Sequence, residues 1–376
     1  MSTNSMVINF LESAGISIDG NNPHDIKVHD SRLYKRLQTH GSLGAGEGYM
    51  EGWWDCDQLD ELFYRICRNR LDGSFNKKWM IIGKSIMNTV VNLQTRFRSL
   101  RVAEEHYNLG NDLYERMLGP TMAYTCGYWK DAKNLDEAQN NKFDLICRKV
   151  GMKPGDRILE LGCGWGTLAK YAAENYGVEV IAANISSEQV NYAKKNCQGL
   201  PIEFFLCDYR DDHIYNPSGE VFDHVVSVGL CEHVGAKNYR TFIEVARRNM
   251  KEDGLFLLHT IGRNNTSYYV DPWISKYIFP NSLLPSIKLL SDAAEDQFII
   301  EDLHNIGADY DKTLMEWHKN FNSHWESLSD QYDEKFFRLW NYYLLSCAGG
   351  FRARSMQLWQ IVLSPNGVAG GYNTVR

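Results

Sequence analysis

The chain has 376 residues, a formal net charge of −7, and 44% hydrophobic and 23% charged residues, the balance of a globular protein of one large domain or two. That charge excludes a general nucleic-acid binder, no apolar run reaches the ~18 residues of a bilayer span, and the N-terminus lacks the basic start of a secretory signal. Nine cysteines, an odd number without a CxxC pair, argue against a zinc ribbon or disulfide framework and for a reducing cytoplasm.

Taken in order, residues 7–14 have a helical pattern closed by Gly15, and 25–28 read as an edge strand. Ser31 is the expected N-cap of a helix over 32–39. The run 41–54, GSLGAGEGYMEGWW, is read as turn glycines rather than a phosphate cradle, since no strand precedes it and no Lys-Ser/Thr follows. Asp57 is the expected cap of an amphipathic helix over 59–70. From Gly73 to Ala103 there is no acid and there are six basic residues, and Trp79, Ile82, Ile86, Val90, Leu93, Phe97 and Leu100 recur at helical steps. Two readings stand: a membrane-surface helix, or a helix packed on its own domain with a solvated basic rim.

After Glu104 the character changes. YTCGYW (124–129) precedes a long helix over 135–150, and Pro154-Gly155 turns into a strand over 157–161. Helices over 167–176, 187–196 and 238–250 then alternate with strands over 178–183, 202–207, 222–228 and 255–260. That rhythm predicts a doubly wound, mostly parallel α/β sheet of the Rossmann-like kind. Residues 262–298 are too apolar for a surface loop and too proline-cut for one helix, so they read as a lid over an apolar substrate or as a subdomain insertion. Strands over 298–304 and 356–363 close the sheet, with helices over 312–325 and 334–347 between them.

The organising stretch is 158–169, ILELGCGWGTLA: a buried strand, a glycine turn with Gly162, Gly164 and Gly166, and a helix start. Glycines there let a ligand approach the backbone, and free helix amides suit a polar group. A nucleoside cofactor site and a plain tight turn both remain open; GxGxG is not the dinucleotide GxGxxG, and no GK[ST] follows. Ligands in such sheets sit beyond the carboxyl ends of the strands, which here carry Glu160, Asn184, Asp208, Glu232 and His259. Asp208 is suited to accept from an adenine amino group while Tyr209 stacks nearby. Asn184 stands where many such sites have an acid for ribose, with Gln189 one turn further on. Glu232-His233, His259 and Cys126 converge as a candidate acid–base site. No spacing supports a metal, and no neighbouring base supports Cys126 as a covalent nucleophile.

YTCGYW, LELGCGWG, VGLCEHVG (228–235), LLHTIG (257–262), DPWISKYIFP (271–280), GADYD (307–311) and the N-terminal GSLGAGEGYMEGWW together resemble the bacterial cyclopropane-fatty-acyl-phospholipid synthases over about residues 7 to 363. The resemblance implies a class I methyltransferase fold with S-adenosyl-L-methionine as cofactor. It implies methylene addition across the cis double bond of an acyl chain in a membrane phospholipid, through a carbocation deprotonated by bound bicarbonate. Cys126, Glu232, His259, Ile261 and Tyr310 match the bicarbonate set, and Tyr124, Thr125, Gly162, Gly164, Gln189 and Tyr209 match cofactor positions, with Gly166, Asn184 and Asp208 added from the strand ends. Thr125 stands where Ser is usual, Gly127 where Ala is usual, and Cys231 where an aromatic is common.

The expected organisation is a small, mainly helical lipid-docking domain over 1–100 and a catalytic domain over 101–376. A homodimer attached peripherally to the cytoplasmic face of the membrane is expected with it. A small-molecule N-methyltransferase of the same fold and a non-catalytic lipid carrier are the rivals. The full set of acid–base residues argues against both.

Overall fold

The computed structural model describes residues 8, 9, 11–71 and 110–376. The basic run 73–103 and the expected domain boundary at 100 lie outside the described residues. The chain divides into two compact units. The first joins the described N-terminal residues to 268–280 and 310–356; the second comprises 110–267, 281–309 and 357–376.

The first unit is mainly helical. A short antiparallel ribbon pairs Lys27–Val28 with Trp54–Asp55. Around it stand α1 (Arg32–His40), α2 (Ser42–Met50) and α3 (Leu59–Arg68), with helices Pro272–Tyr277 and Glu334–Arg352. Most of the glycine-rich run, with Gly44, Gly46 and Gly48, is therefore helix α2 rather than a turn, and only Gly41 and Gly52 at its ends take the expected turn conformation, at φ 55° and 71°. Glycine costs about 1 kcal/mol per residue in a helix interior, and close packing is what the missing side chains permit. A Cβ on Gly44 would lie 2.4 Å from the Arg36 carbonyl oxygen, and one on Gly46 would lie 2.3 Å from the Trp273 indole. Tyr342, on Glu334–Arg352, is the aromatic hub, with ring centroids 4.5 Å from Trp273, 5.2 Å from Phe63 and 5.6 Å from Tyr49. Hydrophobic burial against this aromatic helix is why 310–356 joins the N-terminal residues despite its distance in sequence. Glu47 accepts from Arg36, Lys276 and Tyr277.

Two expected caps are corrected. Ser31 precedes α1 but makes no side-chain cap bond; Asp30 Oδ1 accepts from the Arg32 amide instead, at 2.9 Å. Gln58, not Asp57, is the residue at the start of α3, and Asp57 pairs with Lys27 at 2.7 Å. The 262–298 stretch is divided: its middle packs in the first unit, where Trp273 is buried, and the remainder belongs to the second.

The second unit is a seven-stranded sheet of β1 (Arg157–Leu161), β2 (Glu179–Asn184), β3 (Ile202–Leu206), β4 (Phe222–Val228), β5 (Met250–Arg263), β6 (Ile299–Asn305) and β7 (Met356–Ser364). The order is β3-β2-β1-β4-β5-β7-β6. The pairs β3–β2, β2–β1, β1–β4 and β4–β5 are parallel, and β7–β6 is antiparallel. Helices α4 (Asn111–Leu118), α5 (Leu135–Val150), α6 (Thr167–Tyr176) and α7 (Ser187–Asn196) belong to this unit. Apolar clusters cover both faces, as a mostly parallel sheet requires. Polar residues stand at or just beyond the carboxyl ends of the parallel strands, Glu160 in β1, Asn184 at the end of β2, Asp208 after β3 and Glu232 after β4, so the polar groups gather at one end of the sheet.

Replacing Gly46 by alanine should lower the unfolding free energy by about 1–3 kcal/mol despite alanine's better helix propensity, because the indole of Trp273 occupies the space. Urea unfolding of the variant checks this; an unchanged or raised midpoint would mean that Trp273 yields at no cost.

Candidate active site

At the end of β1 the chain turns through Gly162, Gly164 and Gly166 at φ 82°, 54° and 78°, a left-handed conformation that favours glycine. Their surroundings differ. A Cβ on Gly162 would lie 2.9 Å from Leu230, and one on Gly166 would lie 2.8 Å from both Ala193 and Phe204. A Cβ on Gly164 would meet nothing within 4 Å. Gly164 is the open cradle, and Gly166 lets α7 and β3 pack close.

A cavity above this turn is lined by Tyr124, Thr125, Glu160, Gly162, Gly164, Trp165, Asn184, Gln189, Asp208, Tyr209 and His233, among others. It gathers every cofactor candidate except Gly166, which lies outside its wall. Asn184 Nδ2 donates to Gly164 O at 3.2 Å and to Gln189 Oε1 at 2.8 Å, so the end of β2 is tied to the glycine turn. Asp208 is not bare: Arg210 Nε donates to its Oδ1 at 2.6 Å and Nη2 to its Oδ2 at 2.5 Å. The Tyr209 ring meets Phe242 edge-on at 5.4 Å. Tyr124 packs on Tyr114 at 5.4 Å, and Tyr114 on Trp165 at 4.9 Å.

Glu160 is buried at the cavity wall. It accepts from the Ala169 amide, and its Oε2 has no hydrogen-bond partner among the described residues. Burial pushes its pKa up to about 8, against that amide and the charge of Lys142. Lys142, fully buried on α5, donates to Thr125 Oγ1 at 2.7 Å and to Gln139 Oε1 at 2.6 Å. Burial lowers its pKa to about 7, opposed by Cys126 and Glu160. Gln139 Nε2 donates to the carbonyls of Thr125 (2.9 Å) and Ala123 (3.3 Å).

The acid–base candidates are placed differently. Glu232 sits on the one-turn helix Cys231–Val234 after β4, beside His233, which does line the cavity. Its Oε1 accepts from the Ile261 amide at 2.6 Å, and its Oε2 has no partner among the described residues. Burial pushes this carboxyl up to about 7, against hydrogen bonds that hold it down. His259 is two residues before Ile261 on β5. Its Nδ1 faces Gln360 Nε2 at 3.3 Å, and its Nε2 has no partner among the described residues. With the Gln360 amide as donor, Nδ1 accepts and the ring proton sits on Nε2. Burial holds His259 well below the ordinary histidine pKa, hence neutral, and lowers His233 to about 4. Cys126 is fully buried, its Sγ donating to Gly127 O at 3.2 Å. Ile261 spends its amide on Glu232, and its carbonyl accepts from Thr260 at 3.0 Å. Tyr310 belongs to the first unit, with its ring 4.5 Å from Phe351 and 5.9 Å from Trp317.

Sequence reasoning missed Lys142, Gln139, Gln360 and Arg210. For three of them a signal existed. Gln139 and Lys142, three apart, are polar residues on the buried face of α5, and Gln360 interrupts an apolar strand. Among the described residues no group of acidic, His and Cys side chains is arranged to hold a metal ion, and all nine cysteines are free.

Residues 94–361 match the family model described as mycolic acid cyclopropane synthetase. The chain is 49% identical over 370 residues to the cyclopropane-fatty-acyl-phospholipid synthase of Escherichia coli K12, covering 97% of this chain and 94% of that one. A solved mycolic acid cyclopropane synthase, CmaA1 complexed with SAH and CTAB, is 28% identical with a TM-score of 0.63, covering 70% of this chain and 97% of its own. Coclaurine N-methyltransferase bound to N-methylheliamine and SAH superposes with a TM-score of 0.70 at 21% identity, covering 85% and 98%. At that identity it shows the fold alone, a class I methyltransferase fold.

Glu232 should titrate near neutrality. Its acid form is expected at about pH 5 and its carboxylate above about pH 8.5. Infrared difference spectra of the protein against Glu232→Gln check this; a carboxylate band at the lower pH would refute the burial argument.

Proposed function

This chain belongs to the family of cyclopropane-fatty-acyl-phospholipid synthases, and from that premise we propose that it transfers a methylene from S-adenosyl-L-methionine to the cis double bond of an unsaturated acyl chain in a membrane phospholipid. The observation that supports the reading is a pair of buried polar atoms, Glu232 Oε2 and His259 Nε2, each on a side chain tied down by its other polar atom and each without a partner among the described residues; neither residue lines the cavity itself, whereas His233, next to Glu232, does.

The cofactor suits the cavity, because the open side of Gly164 gives a backbone cradle and the bare oxygen of Glu160 offers an acceptor for an ammonium. When bound, S-adenosyl-L-methionine supplies a methyl made electrophilic by its sulfonium. An isolated alkene is a poor nucleophile, so the cavity must supply proximity and orientation. As the carbon–sulfur bond breaks, the alkene's electron pair forms the first carbon–carbon bond. The second closes when the added methyl loses a proton. Between those events the acyl chain carries positive charge. Tyr124, Trp165 and Tyr209 line the cavity, and an aromatic face close to such a cation stabilises it by about 0.5–2 kcal/mol. Burial excludes the water that would quench it.

The proton to be lost is very acidic, so the acceptor needs placement more than strength. Neutral His259 offers a donor at Nε2, and Glu232 is poised between donor and acceptor. Bicarbonate, with both an O–H and anionic oxygens, fits such a pair, and when bound it supplies a base with no side-chain carboxylate to be alkylated. Cys126 and Ile261 complete its proposed surroundings in the second unit, and Tyr124, Thr125, Gly162, Gly164, Gly166, Asn184, Gln189, Asp208 and Tyr209 the proposed cofactor set; Tyr310, in the first unit, is assigned to the bicarbonate set by the family resemblance alone.

Among the described residues no helix is long and apolar enough to cross a membrane. We extend the reading to a homodimer attached peripherally to the cytoplasmic face, with the basic sequence 73–103 suited to an anionic leaflet. The lipid is then drawn up into the protein. In the solved CmaA1 structure, CTAB, itself an amphiphile, accompanies SAH, in keeping with an amphiphilic acceptor.

Incubation with methyl-labelled cofactor and liposomes of cis-monounsaturated phospholipid should give an acyl chain heavier by one labelled methylene and no longer unsaturated. Methylation of an added amine panel without lipid product would favour the N-methyltransferase. Glu232→Ala and His259→Ala should each lower turnover by about 100-fold or more while SAH affinity changes less than about twofold. An affinity loss as large as the rate loss would remove both residues from proton handling.

A further inference from the structure

Lys142 is a fully buried lysine whose hydrogen-bond partners are both neutral. Nζ donates to Thr125 Oγ1 at 2.7 Å and to Gln139 Oε1 at 2.6 Å, while Glu160 and Cys126 act on it only through space. Burying an ammonium is unfavourable unless its charge is answered. Here the answering charge is incomplete, because Glu160 is itself pushed toward its neutral form.

The bond to Thr125 has a directional consequence. A hydroxyl that accepts from an ammonium must aim its own hydrogen elsewhere. Thr125 lines the cavity, and among the described residues its hydroxyl has no acceptor. The wall therefore presents an O–H donor backed by a cation. Glu160 lines the same cavity with a bare, buried oxygen. A charge-backed donor and a carboxyl acceptor in one wall are the complement of an α-amino acid, whose carboxylate and ammonium need one of each.

We propose that Lys142 is a positioning residue that acts through Thr125 to fix the carboxylate at the amino-acid end of the cofactor. The proposal rests on the cofactor reading above and adds to it the origin of that wall's preference for an anion. Lysine and ligand support each other: an anion beyond Thr125 favours the charged form of Lys142, and the charged lysine favours the anion. Gln139 contributes by holding both the ammonium and the Thr125 carbonyl, so the hydroxyl keeps its direction.

The test compares two nucleosides that differ only in the part concerned. S-adenosylhomocysteine carries the amino-acid end, and 5′-methylthioadenosine keeps the adenosine and thioether without it. Calorimetric titration of the full chain should show Lys142→Met weakening S-adenosylhomocysteine by about 10- to 100-fold, the worth of a charge-assisted hydrogen bond, with 5′-methylthioadenosine changed less than about twofold. The second ligand also reports that the variant's cavity is folded. Thr125→Val should reproduce the selective loss, and the double variant should lose little more, since both act through one contact. Equal losses for both ligands, or no loss for either, would overturn the role. If the wild-type chain bound neither nucleoside, the cofactor reading itself would fall, and the proposal with it.

Discussion

Desolvation of charge is the constraint on which the active-site end of the second unit depends. Glu160, Lys142, Glu232, His233 and His259 are all removed from water, and burial is the largest influence on each, moving every one of them toward its neutral form. For a fold alone this is a poor arrangement, because apolar residues of similar volume would be easier to bury. It becomes intelligible for chemistry that passes through a cation. Water at the site would capture the cation, and a fully ionised side chain would offer itself as a nucleophile. Glu160, Lys142 and Glu232, shifted to about 7–8, can exchange protons without bringing a fixed charge or a solvent shell with them, while His233 and His259 stay neutral.

The sheet delivers this arrangement through register rather than through any one motif. Val228 at the end of β4 pairs with His259 on β5, and the Gly229 amide donates to the His259 carbonyl at 2.9 Å. The one-turn helix that follows β4 then brings Glu232 to the Ile261 amide, two residues beyond His259. Gln360 reaches His259 from β7 on the other side of β5. A donor and an acceptor widely separated in sequence are thus fixed by backbone pairing that apolar strand residues stabilise. Glu232 and His259 each keep one bare buried atom while a second atom is tied to the scaffold.

This division explains what the sequence made legible. The parallel sheet could be read from alternating apolar strands and helices, and β1, β4, α5, α6 and α7 match their expected spans because strand length, helical period and Asn134, Ser186 and Gly151 mark their limits. The strand-end polar residues could be read as one cluster because parallel strands share a direction. Helix α2 could not, since glycine content signals turns unless it is known that Trp273, more than two hundred residues away, fills the space. The same holds for the membership of 310–356 in the first unit, which rests on aromatic packing at long sequence range. The caps at Ser31 and Asp57 failed because neighbouring acids and a competing ion pair took the local bonds. Lys142 and Gln139 were legible in principle, as polar residues where helical periodicity calls for apolar ones, but periodicity says only that they are buried and not what they hold.

What they hold is the segment common to both halves of the site. Thr125 lines the cavity and the next residue, Cys126, does not. Gln139 takes the carbonyls on either side of Tyr124, and Lys142 takes the Thr125 hydroxyl. Two polar side chains three apart on α5, one turn of helix, therefore set where the cavity wall ends and where the buried thiol begins. The alkene must meet the methyl and the departing proton must meet its acceptor in one geometry, and an error of about 1 Å in either costs rate steeply. A rigid helix, capped by Asn134 at one end and by Gly151 at the other, is a better reference for that geometry than the irregular 124–129 segment could be by itself. The buried lysine is in this view the point at which a structural helix becomes part of the reaction's frame.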